Sequence, residues 1–454
     1  MSGLLRVAVI GSGPAAFYAA GHLLASDDPR FEVDVIERLP TPWGLVRLGV
    51  APDHPKLKEV SRAFEKIAER PGFRFLGNVE VGRDVTHEEL RRLYAAVVYA
   101  VGAQTDRRLG VPGEDLPGSW SATAFVAWYN GHPDFQDLTF DLSHERAVVV
   151  GNGNVALDVA RMLALTREEL APTDTTDPAI DAIAASGIRE IVVLGRRGPV
   201  QAAWTAPELA ELGELAGADI LVASEELELD AASEAELETA SPIVRRNLDL
   251  LRDFASRVPA GKPRAIRLRF RVSPVAILGG ERVEAVEIAR NRLEPDGKGS
   301  VRAAATGEHE ILPSGIIFRS VGYRGVSMPG APFDEGTGTI PNAGGRVLDV
   351  DGSAIPGVYC AGWIKRGPTG VIGTNKKDAT ETVDLLLEDA RAGLLEQAAD
   401  AAEVDAFLAE RNEDVVTYQG WETIDTVERA RGAKQGRPRV KLPTWDELLD
   451  TARH

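Results

Sequence analysis

Residues 5–26, LRVAVIGSGPAAFYAAGHLLAS, decide how the chain folds. Leu5 to Ile10 is a short apolar run of the length a buried strand takes. Gly11, Gly13 and Ala16 follow with G-x-G-x-x-A spacing, and the apolar stretch beginning at Pro14 reads as a helix. FEVDVIE, 31–37, alternates Phe31, Val33 and Val35, which is the period of a second strand. Together these make a βαβ unit of the dinucleotide-binding kind. There Gly11 makes the tight turn and Gly13 lets the backbone approach a pyrophosphate, while the small Ala16 lets helix and strand pack closely. The helix N-terminus at Pro14 and Ala15 presents unpaired N–H groups and a partial positive charge to the phosphates. Glu37 ends the second strand, where a carboxylate accepts hydrogen bonds from ribose hydroxyls.

The same grammar returns near residue 146. RAVVV leads into Gly151-Asn152-Gly153-Asn154-Val155-Ala156, then a helix, then the strand IREIVVL. This strand ends differently, in Gly195-Arg196-Arg197. A carboxylate there would bind a ribose diol and repel an added phosphate. Two guanidiniums instead suit a 2′-phosphate, which arginine grips by charge-assisted bonds. A solvated arginine pair on a surface loop is the plain alternative; its place after a second dinucleotide turn favours the phosphate. Two turns with different strand ends predict two nucleotides: the ADP half of FAD at the first, NADP(H) at the second. Hydride transfer between nicotinamide and flavin is the economical reading.

Composition bounds the rest. At 454 residues the chain is too long for one core, so two or three domains are expected. Sixty-nine acids against fifty-one bases give a net charge of −18, which argues against a nucleic-acid partner and makes local basic clusters informative. No run of eighteen apolar residues appears, so no membrane span is expected. The N-terminus runs almost directly into the first strand, which leaves no room for a targeting peptide and predicts a cytoplasmic protein. A single cysteine, Cys360, excludes an internal disulfide or a cysteine-bound cluster, and the seven histidines show no ligand spacing, so no metal is expected.

Three further apolar strands end in glycine-bearing turns, within 95–104, 315–325 and 357–367. The acidic segment 224–240 reads as a solvated loop or outer helix, and 241–257 as a helix carrying Arg245, Arg246, Arg252 and Arg257. Near the C-terminus lies the basic GRPRVK, 436–441.

At these residues the chain resembles the adrenodoxin reductase family of ferredoxin–NADP+ reductases, and more narrowly its actinobacterial NADPH–ferredoxin reductases. The resemblance runs from about residue 5 to about residue 445. It is carried by GSGPAAFYAA, LPTPWGLVRLGVAPDHPK, GNVEVG, YAVGAQTDR, GNGNVALDVAR, GRRGPVQAAWTAPEL, SVGYRG and GWIKRGPTGVIGTNKKDA. It implies an α/β fold of two Rossmann-like domains with parallel sheets. The FAD domain would be discontinuous, 1–106 and 325–454, with the NADP domain, 107–324, inserted. FAD is then expected against Ala15, Glu37, Leu45, Val81, Trp363 and the turn Gly370-Val371-Ile372. NADP(H) is expected at Arg107, at Asn152 to Val155, at Arg196 and Arg197, and at Glu208 and Gly370. His54 and Glu208 match polar residues that lie near the nicotinamide in the family. A turn role for His54, or helix-start stabilisation by Glu208 after Pro207, is the plain alternative.

The implied reaction is hydride transfer from NADPH to FAD, then single electrons to a separate ferredoxin-type iron–sulfur protein. Ferredoxins are acidic, so docking is expected at a local basic face, with Arg245, Arg246, Arg252 and Arg257 or GRPRVK as candidates. Four rivals differ in what they require. A flavin monooxygenase would carry an FxGxxxH-like stretch between the turns, which FVAWYNGHP does not supply. A glutamate-synthase-type subunit would carry cysteine-rich cluster motifs. An NADPH-dependent diaphorase with another acceptor, or a non-catalytic NADP-sensing flavoprotein, would share both turns.

Overall fold

The computed structural model describes residues 4–296, 301–370, 372–396 and 399–454. The chain forms two compact units. One comprises the chain through Thr105, Asn130–Asp134 and Tyr323–His454; the other comprises Asp106–Tyr129 and Phe135–Gly322.

The first unit is built on a seven-stranded sheet. Its order is Asn342–Ala343, Arg346–Leu348, Ala354–Cys360, Ala96–Tyr99, Leu5–Ile10, Phe31–Glu37 and Phe73–Gly77. The last five run parallel, with Val7 opposite both Val33 and Ala96, and Val358 opposite Val97. All six residues of Leu5–Ile10 are buried, which fits a central parallel strand covered on both faces. The late strand Ala354–Cys360 therefore pairs with Ala96–Tyr99, about 260 residues earlier by the numbering. On one face the helix Pro14–Leu23 buries Phe17 against Phe64, ring centroids 5.0 Å apart, and packs against the long helix Ile372–Arg391. Five residues, Asn130–Asp134, belong here because Asn130 accepts from Lys441 and Asp134 accepts from Arg38 and from the Trp445 indole. Cys360 is fully buried, and burial pushes its thiol up to about 12.

The second unit holds a six-stranded parallel sheet: Ser119–Ser121, Ile316–Arg319, Arg146–Val150, Glu190–Leu194, Arg264–Arg269 and Ala218–Val222. The apolar runs at 146–150, at 188–194 and within 315–325 announced three of these strands. A three-stranded antiparallel sheet, Val272–Leu278, Ala285–Pro295 and Val301–Pro313, was not announced. Its outer strand is largely exposed, so it lacks the continuous apolar run that marks a buried strand. The 224–240 segment contains the helix Ala231–Thr239, but Glu226 before it is buried and paired with Arg269 and Arg290. Among the described residues no helix is long and apolar enough to cross a membrane.

Candidate cofactor sites

In the first unit Gly11 has φ +97°, and a Cβ on it would lie 2.7 Å from the Ala100 carbonyl oxygen. Only glycine serves there. Gly13 differs: a Cβ on it would meet no atom within 4 Å. It is the N-cap of Pro14–Leu23, its side-chain-free face left open beside the helix N-terminus, while Pro14 starts the helix and Ala15 is buried behind it. Such an open backbone face beside free N–H groups is a cradle for a pyrophosphate.

Glu37 performs a task that strand-end position alone did not reveal. Its carboxylate accepts from the Ser12 amide at 3.0 Å, the Ser12 hydroxyl at 2.6 Å and the Leu39 amide at 3.0 Å. It thus ties the glycine turn to the end of its neighbouring strand. A carboxylate has about four lone-pair sites, so capacity remains for a ribose hydroxyl. Leu45 starts a short helix, Leu45–Leu48, directly after Trp43 and Gly44, both at positive φ. Val81 is buried, in a turn that bridges to Val85.

Trp363 opens the helical turn Trp363–Arg366, half-buried; its ring lies 5.4 Å from Tyr323 and its indole N–H donates to the Thr369 carbonyl at 3.1 Å. Arg366 donates to Asn375 Oδ1 at 2.7 Å and to Thr369, fixing the turn that leads to Gly370 at φ +80°. Ile372 is the first residue of Ile372–Arg391; Val371 lies outside the described residues. Below the turn, buried Asp378 accepts from the Gly362 amide and pairs with Lys365 at 3.1 Å. Arg366, Asn375 and Asp378 escaped the reading of the sequence, because nothing in the spacing of GWIKRGPTG marks which side chains face the helix that follows.

In the second unit the glycine turn repeats. Gly151 has φ +138°, and a Cβ there would run into the Ser320 carbonyl, whereas one on Gly153 would meet nothing within 4 Å. Gly153 caps the helix Asn154–Ala164, with Val155 packed half-buried in its first turn. Asn154 Oδ1 accepts from the Thr205 amide at 2.9 Å, and the Asn152 carbonyl from the Ala203 amide at 3.0 Å. The Asn152 side-chain N–H₂ is buried without a partner among the described residues. A buried donor costs about 1–3 kcal/mol when unsatisfied, so it calls for an acceptor.

Arg196 is exposed and Arg197 half-buried at the end of Glu190–Leu194. Their backbone is pinned: the Arg196 carbonyl accepts from Asn291 at 2.9 Å, and the Arg197 carbonyl from the Arg271 amide at 3.0 Å. Neither guanidinium has a hydrogen-bond or ion-pair partner among the described residues. Arg107 is likewise exposed, its amide bonded to the Gly322 carbonyl at 2.8 Å. Contrast the cleft of about 530 Å³ lined by Arg146, Arg267, Arg269 and Arg290, each paired with Glu190, Glu226 or Glu310. Among the described residues that cleft offers no uncommitted cation to an anion.

Glu208 lies in the first turn of Ala206–Leu212, after Pro207, and faces the buried Arg161 at 3.5 Å. His54 is the N-cap of Pro55–Lys58 in the first unit and 9% exposed. Arg245, Arg246 and Arg252 lie on Pro242–Ser256 and are exposed. Arg252 is near Asp249 and Arg257 pairs with Asp253, so the helix is less basic than its arginines suggest. GRPRVK is no open basic face: Arg437, Arg439 and Lys441 are 8%, 13% and 4% exposed, and Arg439 and Lys441 are bonded internally.

Two glycine-turn half-sites, one ending in a carboxylate and one in guanidiniums unpaired among the described residues, define a two-dinucleotide oxidoreductase. In agreement, the family profile of pyridine nucleotide-disulphide oxidoreductases matches residues 5–176. The chain is 50% identical to the NADPH-ferredoxin reductase FprA of Mycobacterium tuberculosis, over 98% of both chains. It is 43% identical to human mitochondrial NADPH:adrenodoxin oxidoreductase, covering 99% of this chain and 92% of that one. The solved structure of M. tuberculosis FprA in complex with NADPH superposes with a TM-score of 0.94 over 100% of both chains. The chain belongs to the adrenodoxin reductase-type family of ferredoxin–NADP+ reductases.

Proposed function

We propose that the chain is an FAD-containing NADPH:ferredoxin oxidoreductase. The observation that carries this is the unlike ends of two otherwise matching turns, Glu37 on one and, on the other, Arg196 and Arg197, which are unpartnered among the described residues. The segments 1–106 and 325–454 would form the FAD domain and 107–324 the NADP domain. Bound FAD supplies the conversion of a two-electron hydride into single electrons.

The chain's own residues bind and orient. Gly13 and the helix start at Pro14 and Ala15 would receive the FAD pyrophosphate, Glu37 its ribose, and Leu45, Val81, Trp363 and Gly370 to Ile372 its remaining length. Gly153, Asn152, Asn154 and Val155 would receive the NADPH pyrophosphate, with the free Asn152 amide as a donor. Arg196, Arg197 and Arg107 would hold its 2′-phosphate. His54 and Glu208 would hold the nicotinamide end. Anaerobic titration of the purified protein with NADPH tests the core of this reading: the yellow chromophore should bleach. A protein that stays colourless after reconstitution with FAD refutes it.

The acceptor would be a ferredoxin-type iron–sulfur carrier, met in the cytoplasm. FprA and adrenodoxin oxidoreductase carry such carriers in their names. Docking would centre on Arg245 and Arg246, where the exposed Arg246 is unpaired among the described residues, with Arg252 flanking. Reversing charge at both, Arg245→Glu with Arg246→Glu, should slow ferredoxin reduction by about tenfold or more at low salt, since steering raises on-rates by that order. Ferricyanide reduction should hold. Equal loss with both acceptors would refute the docking face.

A further inference from the structure

The stretch Thr41–Gly49 carries Leu45 and is held in place by the far end of the chain. Trp43 has φ +82°, a region that bulky residues avoid unless their surroundings impose it. Its amide donates to the Ser12 carbonyl at 3.0 Å, and a Cβ on the neighbouring Gly44 would lie 3.0 Å from the Gly13 Cα. This turn therefore closes directly onto the glycine turn that would receive the pyrophosphate.

What imposes it lies near residue 430. The Trp43 ring stands edge-on to Trp421, centroids 4.9 Å apart at 79°. The Arg47 guanidinium sits 5.0 Å over the same Trp421 and grips Glu428 with two bonds, 2.8 and 2.5 Å. Glu428 is wholly buried; it also accepts from Arg439 at 3.1 Å and from the Leu442 amide at 2.9 Å. Lys441 Nζ donates to the Arg47 carbonyl at 3.2 Å. Gly432 permits the fit, since a Cβ there would lie 2.5 Å from the Arg439 Cα.

We propose that Trp421, Glu428 and Lys441 are positioning residues for FAD: a clamp that holds the Trp43–Gly44 turn against Ser12 and Gly13. The inference rests on the FAD reading of this half-site and deepens it. The pieces come from opposite ends of the sequence, so breaking the clamp leaves both glycine turns intact and lets the Trp43 turn relax from its left-handed backbone.

The test is FAD affinity of the full-length apoprotein, measured by quenching of flavin fluorescence, for the wild type, Glu428→Gln, Lys441→Met and Tyr94→Phe. Tyr94 donates to buried Asp34 in a separate ion cluster with Arg6 and Arg74, so it reports general loosening of the same unit. If the broken clamp leaves the competent turn populated about a tenth of the time, Kd rises about tenfold. That rise is expected for Glu428→Gln and Lys441→Met, with faster flavin release, and not for Tyr94→Phe. Unchanged Kd in folded Glu428→Gln and Lys441→Met, or an equal rise in Tyr94→Phe, overturns the clamp alone. If Glu428→Gln does not fold, Lys441→Met decides. A wild-type apoprotein that takes up no FAD overturns the underlying reading as well.

Discussion

Replacing Arg196 and Arg197 together by alanine isolates the phosphate assignment. Both side chains lack partners among the described residues, and the loop backbone is held by Asn291 and Arg271 through main-chain carbonyls. The double variant should therefore keep its fold, with a stability change within about 0.5 kcal/mol as for featureless surface positions. A hydrogen bond to a charged group contributes about 1.5–3 kcal/mol. Arg196 is exposed and water screens it, so one such contact is a fair value for the pair. At 1.4 kcal/mol per factor of ten, NADPH should lose about tenfold to 150-fold in kcat/KM. NADH has no 2′-phosphate and should lose almost nothing. The loss should sit in KM, because a grip on the adenosine end is present in ground state and transition state alike. The assay is steady-state ferricyanide reduction with each nucleotide at two salt concentrations, the wild-type preference shrinking at high salt. An NADPH/NADH ratio unchanged by the double substitution would refute the reasoning, whatever happened to the absolute rates.

The glycines of each turn should separate by role. Gly13→Ala and Gly153→Ala meet no protein atom, so both should melt close to wild type, yet the first should retain little FAD and the second should bind NADPH weakly. Gly11→Ala, at φ +97° and against the Ala100 carbonyl, should instead lower the melting temperature of the protein itself; thermal melts with flavin absorbance distinguish the two outcomes. Burial pushes His132 down to about 4, and its Nδ1 accepts from the Asp134 amide. A histidine kept neutral by the fold binds its proton more readily unfolded, so stability should fall as pH drops from about 6.5, the usual histidine value, toward 4. In His132→Gln that segment of the stability–pH curve should flatten, which urea titrations at several pH values would show.

The βαβ units, both glycine turns and the arginine-ended strand were legible in the order of residues, because each depends on spacing over a few neighbours. Gly11 and Gly151 need positive φ, and alternation such as Phe31-Val33-Val35 assigns one face to the core; neither requires knowledge of distant chain. Which charges are free could not be read that way. Arg196 and Arg439 look alike in sequence, yet one points to nothing among the described residues while the other is enclosed with Asp425 and Glu428. Arg47 and Glu428 are 381 residues apart, and Glu37 is shared between Ser12 and Leu39. A charged side chain carries no local signature of its partner, since pairing is set by where packing brings remote segments together. The sequence alone thus determined the nucleotide turns, and tertiary packing decided which ionic groups remained available to use them.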